Sequence, residues 1–296
     1  MDFMRVNGEF PVLLNCAVTL GKFDGVHRGH KKLIDAILNR KCLGEKAVVV
    51  AFVSGKPALL TSEERMHYLE ELGIDLLIEC PLTPEFCAIS AEDFVKSILV
   101  EKLDTRFVAV GEDYMFGRGR AGDVKLLSRM GEEYGFLTEI VEKEMYGDRK
   151  VSSTFIREEL AVGHMEMVEC LLGRPFVVEG FVEHGRGMGK RDFFPTANLV
   201  PSPNKLLPPN GVYASRSFIK DHAMEGISNI GYKPTVGENF VGLETYLFNC
   251  EEELYGEFCK VQLLKYQRPE KKFESFEALK EQISSDIQDV KIFFAR

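Results

Sequence analysis

A glycine-punctuated decapeptide, Gly21-Lys22-Phe23-Asp24-Gly25-Val26-His27-Arg28-Gly29-His30, joins an apolar run, Ala17-Val18-Thr19-Leu20, to a segment whose Leu33, Ile34, Ile37 and Leu38 recur at helical spacing. Strand, tight turn and helix in that order fix one βα unit. Glycines at 21, 25 and 29 let backbone come close to a ligand, and a helix start at Gly29 presents N–H groups and the positive end of its dipole. Such a place suits a polyphosphate. Two imidazoles three residues apart, His27 and His30, can donate to phosphate oxygens as charge moves onto a leaving pyrophosphate. The competing reading is a plain strand–turn–helix junction with two exposed histidines.

The rest of the first half alternates strand and helix patterns. Residues 47–53, Ala-Val-Val-Val-Ala-Phe-Val, form a continuous apolar run of the kind buried on both faces of a sheet. Residues 61–72 read as a helix, with Thr61 and Glu64 as a capping box. Residues 74–80 read as a strand. Ser90 caps a second helix with Phe94, Val95, Ile98 and Leu99 inward, and 107–110 is another buried strand, followed by a Gly-rich loop and a helix over 124–134. The order predicts a doubly wound, mostly parallel α/β sheet with ligands at the carboxyl ends of its strands. From Phe176 the pattern changes: 176–184, 212–219, 225–230, 241–248 and 257–266 read as strands between Gly, Pro and Asn turns. One long helix from Ser275 follows, with Phe276, Leu279, Ile283, Ile287 and Val290 as its apolar stripe. Strands at this spacing with one helix predict a small β-barrel. The expected domains are 1–170 and 171–296.

A length of 296 residues suits two domains. The net charge of −9, from 46 acidic against 37 basic residues, argues against a chain that mainly binds nucleic acid. No apolar run reaches the ~18 residues of a membrane span, and the N-terminus does not read as a signal peptide, so a cytoplasmic protein is expected. The seven cysteines include no C-x-x-C pair and mostly sit in apolar runs, as buried reduced thiols would.

Further motifs suit phosphate or metal. The loop 111–122, with Gly111, Asp113 and Arg120, again follows a strand; its literal G-x-G-x-x-G at 117–122 does not signal a dinucleotide fold, because the first strand carries a different motif and no acidic partner follows at the right distance. It reads as a loop that closes over a bound nucleotide with Arg120 near phosphate, or else as a plain surface loop. Ser152, Ser153 and Thr154 with Arg157 one turn on exceed what an N-cap needs and can bind phosphate oxygens. Thr196 and Asn198 can supply oxygens to magnesium beside ATP phosphates, while a mere β-turn is the alternative. Glu244, on an alternating strand, can accept the proton of a hydroxyl attacking a γ-phosphate, or simply face solvent. Arg268, Glu270, Lys271 and Lys272 can be a solvated charge run.

Taken together, these residues resemble the prokaryotic bifunctional riboflavin kinase/FAD synthetase family over nearly the whole chain. Residues 21–30, Val110-Gly111-Glu112-Asp113-Tyr114-x-Phe116-Gly117 and Ser152-Ser153-Thr154-x-Ile156-Arg157 are similar to its nucleotidylyltransferase motifs. Phe194-Pro195-Thr196-Ala197-Asn198-Leu199, residues 229–237, Glu244, Leu254-Tyr255-Gly256 and Lys272-Phe273 are similar to its kinase motifs. The resemblance implies a Rossmann-like nucleotidylyltransferase domain and a riboflavin-kinase barrel. It implies FMN made from riboflavin and ATP with Mg2+, and FAD made from FMN and ATP. His27, His30, Gly21, Phe23, Asp24, Gly25, Gly29, Gly111, Asp113, Arg120, Ser152, Ser153, Thr154 and Arg157 would serve adenylylation. Gly187, Gly189 and Lys190 would hold ATP phosphates, Thr196 and Asn198 the metal, Glu244 the proton, and Arg268, Glu270 and Phe273 the flavin. Phe52-Val53-Ser54-Gly55-Lys56-Pro57 and Asp192-Phe193 depart from the family's usual residues, and Arg65 stands where a Lys is common. The alternatives are an FAD synthetase with an impaired kinase, or a non-catalytic flavin-binding protein.

Overall fold

Six strands build the first sheet: β1 (Asp2–Arg5), β2 (Cys16–Gly21), β3 (Lys46–Val53), β4 (Leu76–Pro81), β5 (Thr105–Gly111) and β6 (Leu137–Val141). They pair in the order β1-β4-β3-β2-β5-β6, every pair parallel. The computed structural model describes residues 1–183, 196–220, 222–235, 238–250 and 252–295. Gly187, Gly189, Lys190 and the Asp192-Phe193 pair lie outside the described residues.

The core of this sheet follows from its apolar runs. Val18, Leu20, Val48, Val50, Ile78, Val108 and Val110 are all buried in one cluster with Leu99 and Phe94. Helix α1 (Arg28–Leu38) follows β2 and turns Leu33, Ile34 and Ile37 inward. Helix α2 (Ser62–Glu71) begins with the expected box, the Thr61 hydroxyl accepting from Glu64 N and the Glu64 carboxylate from Thr61 N. The segments α3 (Pro84–Cys87) and α4 (Ala91–Asp93) follow, α4 running on through the wider turns of Phe94–Val100, and α5 is Val124–Tyr134. The two edge strands, β1 and β6, escape the sequence pattern because an edge strand needs no continuous apolar run; most of their residues are exposed.

Two of the three glycines of the G-x-G-x-x-G stretch, Gly117 and Gly122, have a packing purpose. A Cβ on Gly117 would lie 2.6 Å from the Ala91 backbone, and one on Gly122 would lie 2.8 Å from both the Ala91 side chain and the Phe116 ring. The loop after β5 is thus pressed onto the start of α4, and Arg118 N donates to Ile89 O at 2.7 Å.

The chain forms two compact units, Met1–Ser153 and Thr154–Arg296. The second unit therefore takes in residues that the expected boundary after 170 assigns to the first, because α7 (Met165–Leu172), which follows α6 (Ser153–Ala161), packs on strands of the second sheet. That sheet comprises β9 (Phe176–Phe181), β10 (Thr196–Leu199), β11 (Gly211–Ile219), β12 (His222–Thr235), β13 (Glu238–Leu247) and β14 (Phe258–Pro269), antiparallel in the order β10-β13-β12-β11-β14-β9. A bridge between Glu183 and Asn198 joins its two ends, curling the sheet into a barrel. The segment from Thr196 to Leu199 is strand and not the turn that the sequence allows, because it pairs along its length with β13. A short hairpin in the first unit, β7 (Met145–Tyr146) with β8 (Arg149–Lys150), completes the strands.

Helix α8 (Phe276–Phe294) is capped by the Ser275 hydroxyl as expected, but its inward face differs from the apolar stripe. Phe276 is exposed, whereas Asp286 is buried beside Val290. Asp286 is drawn inward by Arg268 of β14, whose Nε and Nη2 donate to its carboxylate at 3.0 and 2.6 Å, with Gln282 adding a third donor. The cysteines also differ from expectation: all are free, but Cys42, Cys87 and Cys170 are exposed and only Cys16, Cys80 and Cys259 are buried. Among the described residues no helix is long and apolar enough to cross a membrane.

Gly117→Ala is expected to cost about 3 kcal/mol, combining left-handed strain with a forced shift of Ala91. Gly119→Ala, at a φ of +64° with open space around it, should cost only about 1 kcal/mol. Urea midpoints of the two variants check the difference.

Candidate functional sites

The strand order reverses direction at β2: the chain proceeds to β3 on one side and later returns to β5 on the other. The crevice beyond the carboxyl ends of β2 and β5 is where open α/β sheets hold ligands. The residues 21–30 leave β2 and the loop 111–122 leaves β5, so both motifs meet at this crevice. Thr19 ties the two strands through a hydrogen bond from its buried hydroxyl to Ala109 O at 2.8 Å.

The turn itself is strained. Phe23 (φ +47°), Gly25 (φ +87°) and Val26 (φ +43°) all occupy left-handed backbone, rare for an aromatic and more so for a β-branched residue. Burial of the Phe23 and Val26 side chains holds it. The result sets His27 as the N-cap of α1, its Nδ1 accepting from His30 N at 3.4 Å. The two imidazoles stack with centroids 3.7 Å apart, and Phe23 lies 4.9 Å from the His30 ring. These are not the exposed histidines of a plain junction: His27 is buried, and His30 Nδ1 is out of contact with water and without a hydrogen-bond partner among the described residues. Burial, helped by His27, Arg65 and Lys150, pushes the His30 imidazole well below its ordinary range, so the ring is neutral near pH 7.

Asp24 is committed to holding the turn. Its carboxylate accepts from Leu59 N and its carbonyl from the Ser153 hydroxyl, each at 2.7 Å. Ser153, which opens α6, is thus tied to the histidine turn. Beneath the turn, fully buried Glu79 accepts from Arg65 at 2.5 Å and from Arg5 and Ser62 at 2.8 Å. At the β5 side, Asp113 pairs with Lys150, and Lys143 with Glu112 at 2.9 Å, fastening the β7–β8 hairpin to the loop. The Lys150 ammonium holds the Asp113 carboxyl below its usual range against the opposing effect of burial. Arg120 stands exposed at a left-handed position, and Gly111 lies next to Asp113. Thr154 and Arg157 follow Ser153 on α6, exposed and half-buried respectively, and fall within the second unit.

In the second unit, strand register gathers residues from distant positions. Asn198 lies opposite Glu244, which lies opposite Asn229 on its other side. The Thr196 hydroxyl donates to the Glu244 carboxylate at 2.8 Å, and the Asn198 amide approaches Thr196 O at 3.4 Å. Glu244 is half-buried and hydrogen-bonded, not a bare solvent-facing residue. Hydroxyl, carboxylate and carboxamide form an oxygen-only donor set, which fits a magnesium ion that also keeps waters and substrate phosphates. Among the described residues no group of three or more His, Cys, Asp or Glu could hold a metal ion, so hydroxyl and amide oxygens would have to take part. Arg268 is engaged by Asp286, while Glu270 accepts from Asn210 at 3.4 Å and lies over Gly231, where a Cβ would come within 2.0 Å of its carboxylate. Phe273 has the Arg268 and Lys271 cations over its ring at 6.0 and 5.7 Å. The run 268–272 is therefore built into the unit at Arg268 and Glu270.

Arg5, Arg28, Lys32, Glu79, Glu144, Lys150 and Asp286 are the polar residues that sequence reasoning passed over. Their partners lie up to 116 positions away, so no local spacing marks them.

Since the folded protein resists protonation of His30 while the unfolded chain takes up that proton near pH 6.5, stability present above that pH should fall on acidification. His30→Gln should flatten the dependence; urea midpoints at about pH 7 and about pH 5.5 measure it.

The FAD synthetase family model matches residues 11–155 and the riboflavin kinase model residues 172–294. Bifunctional riboflavin kinase/FMN adenylyltransferase from Escherichia coli K12 is 38% identical over 94% of this chain and 93% of its own length. The proteins of the same name from Haemophilus influenzae and Bacillus subtilis are 33% and 31% identical, covering 96% and 94% of this chain and 96% and 92% of their own. A crystal structure described as a macrolide-efflux protein from Streptococcus pneumoniae superposes with a TM-score of 0.85, covering 98% of this chain and 99% of its own at 24% identity, and so shares the fold.

Proposed function

The chain belongs to the bifunctional riboflavin kinase/FMN adenylyltransferase family, and on that premise we propose which of its residues carry each reaction. The enzyme phosphorylates riboflavin to FMN with ATP and adenylylates FMN to FAD with release of pyrophosphate.

For adenylylation, an FMN phosphate oxygen attacks the α-phosphorus of ATP and the bond to pyrophosphate breaks. No covalent intermediate on the protein is needed; alignment and charge stabilisation suffice. The N-terminus of α1 and the stacked His27 and His30 hold the triphosphate, His30 as a neutral donor to the oxygen that gains charge. Gly21, Gly25 and Gly29 let the chain approach it, with Phe23 and Asp24 fixing the turn. Ser152, Ser153, Thr154 and Arg157 bind further phosphate oxygens, Arg120 lies towards phosphate, and Gly111 and Asp113 face the nucleoside.

For phosphorylation, Glu244 accepts the proton of the ribityl hydroxyl as that oxygen attacks the γ-phosphorus and ADP leaves. The hydroxyl of Thr196 orients the Glu244 carboxylate. Thr196 and Asn198 would hold the magnesium ion, which neutralises phosphate charge when bound. Gly187, Gly189 and Lys190 serve the ATP phosphates, and Arg268, Glu270 and Phe273 the flavin, Arg268 through its hold on α8. Adenylylation is assigned to 1–170 and phosphorylation to 171–296. The reactions run in the cytoplasm, where ATP is abundant, without nucleic acid.

One observation supports both assignments: each unit brings its own motif residues into bonding distance, His27 onto His30 and Thr196 onto Glu244. Purified protein given riboflavin and Mg–ATP should yield FMN and then FAD on chromatography; formation of neither would refute the reading. His30→Ala should lower FAD formation at least ~100-fold and spare FMN formation. Glu244→Gln should lower FMN formation ~100-fold or more and spare FAD formation from supplied FMN.

A further inference from the structure

A carboxylate stands where the first unit needs positive charge. Glu144 precedes the β7–β8 hairpin, and its side chain is only 15% exposed. It accepts from Arg28 and, at 2.7 Å, from Lys32, one turn apart on α1. Its backbone carbonyl accepts from Val151 N at 2.8 Å, next to Ser152 and Ser153. Its Cβ lies 3.7 Å from the point where a side chain on Gly29 would begin. Glu144 is thus wedged between the histidine turn and the serine segment. Lys32 and Arg28 hold its carboxyl below the usual carboxylate range, so it is charged at neutral pH.

We propose that Glu144 is a resident counter-ion of the triphosphate site, a positioning residue that acts through Arg28 and Lys32 and limits how tightly polyphosphate is held there. The proposal rests on the assignment of that site to the first unit. The start of α1 already offers backbone N–H groups and a dipole end, while Lys31 is paired with Asp35 at 2.7 Å. With Arg28 and Lys32 also unpaired, ATP and pyrophosphate would both bind more tightly. Binding that favours substrate and product alike lowers KM without raising kcat, and it slows departure of the product. A carboxylate on the two cations removes that excess.

Pyrophosphate binding to the full-length protein, measured by calorimetry without FMN, reads the counter-ion apart from catalysis. E144Q should bind pyrophosphate about three- to tenfold tighter at low salt, with the gap narrowing as salt rises. In FMN adenylylation its KM for ATP should fall by a similar factor and kcat should fall with it, while riboflavin phosphorylation in the same preparation stays unchanged. Adding Arg28→Gln to E144Q should remove the gain, and Glu144→Asp should keep the wild-type constants. Unchanged or weaker pyrophosphate binding by folded E144Q overturns the proposal, because a purely structural tie would give that result. Should E144Q not fold, Arg28→Gln alone carries the test: surplus negative charge then weakens pyrophosphate binding about threefold or more, and unaltered binding overturns the idea. Failure of the wild type to make FAD would sink the adenylylation assignment and leave the binding comparison standing.

Discussion

Val26 held in left-handed backbone, with Phe23 before it and Gly25 between, is the constraint on which the geometry of the histidine turn depends. Each such residue costs about 1–3 kcal/mol, and the chain meets that cost by burying both side chains, each worth about 1.5–3 kcal/mol. The turn can therefore persist only because the sheet core is already formed around it. Its consequence is geometric. A side chain that would otherwise point to solvent caps α1, a second imidazole stacks on it, and the pair stands at the one place where strand order reverses. The strained turn and the stacked imidazoles thus have one origin in packing.

In the second unit strand alternation plays the corresponding part. On β13, Leu243, Thr245 and Leu247 are buried inside the barrel, so Glu244 and Tyr246 share the opposite face. Tyr246 packs with the cluster of Val212, Ala214, Ile227 and Val290 that seats α8. Glu244 comes next to Thr196 and Asn198 on that same face because β10 pairs in register with β13. The barrel interior is not wholly apolar: Ser215, Ser228 and Thr245 are buried but joined by hydroxyl bonds of 2.8 and 2.7 Å, so their polarity is satisfied in place. Arg268 with Asp286 fastens α8 over the outer face by the same rule applied to charge.

An acidic chain that handles polyanions must concentrate positive charge locally. The net charge of −9 says nothing against this, since cations are gathered at the start of α1 and along the β8 edge. Of these cations, Arg28 and Lys32 pair with Glu144, Lys31 with Asp35 and Lys150 with Asp113. On the assignment proposed above, a phosphate arriving at the start of α1 would compete with Glu144 for Arg28 and Lys32.

The sequence by itself determined the fold class, most elements and the residues of each motif. Apolar runs mark buried strands, Thr61–Glu64, Ser90 and Ser275 mark helix starts, and glycine spacing marks the turn after β2, because each of these signals is local. Only the tertiary structure decided the rest. The edge strands β1 and β6 are defined by a neighbour and not by their own composition. Asp286 faces inward because Arg268 awaits it, and the glycines at 117 and 122 answer to Ala91, a contact from outside their loop. The meeting of Thr196 with Glu244, and of Glu144 with Arg28, spans 48 and 116 positions. Such pairings exist only after strand order and register have closed the intervening chain, and no periodicity in one dimension encodes them.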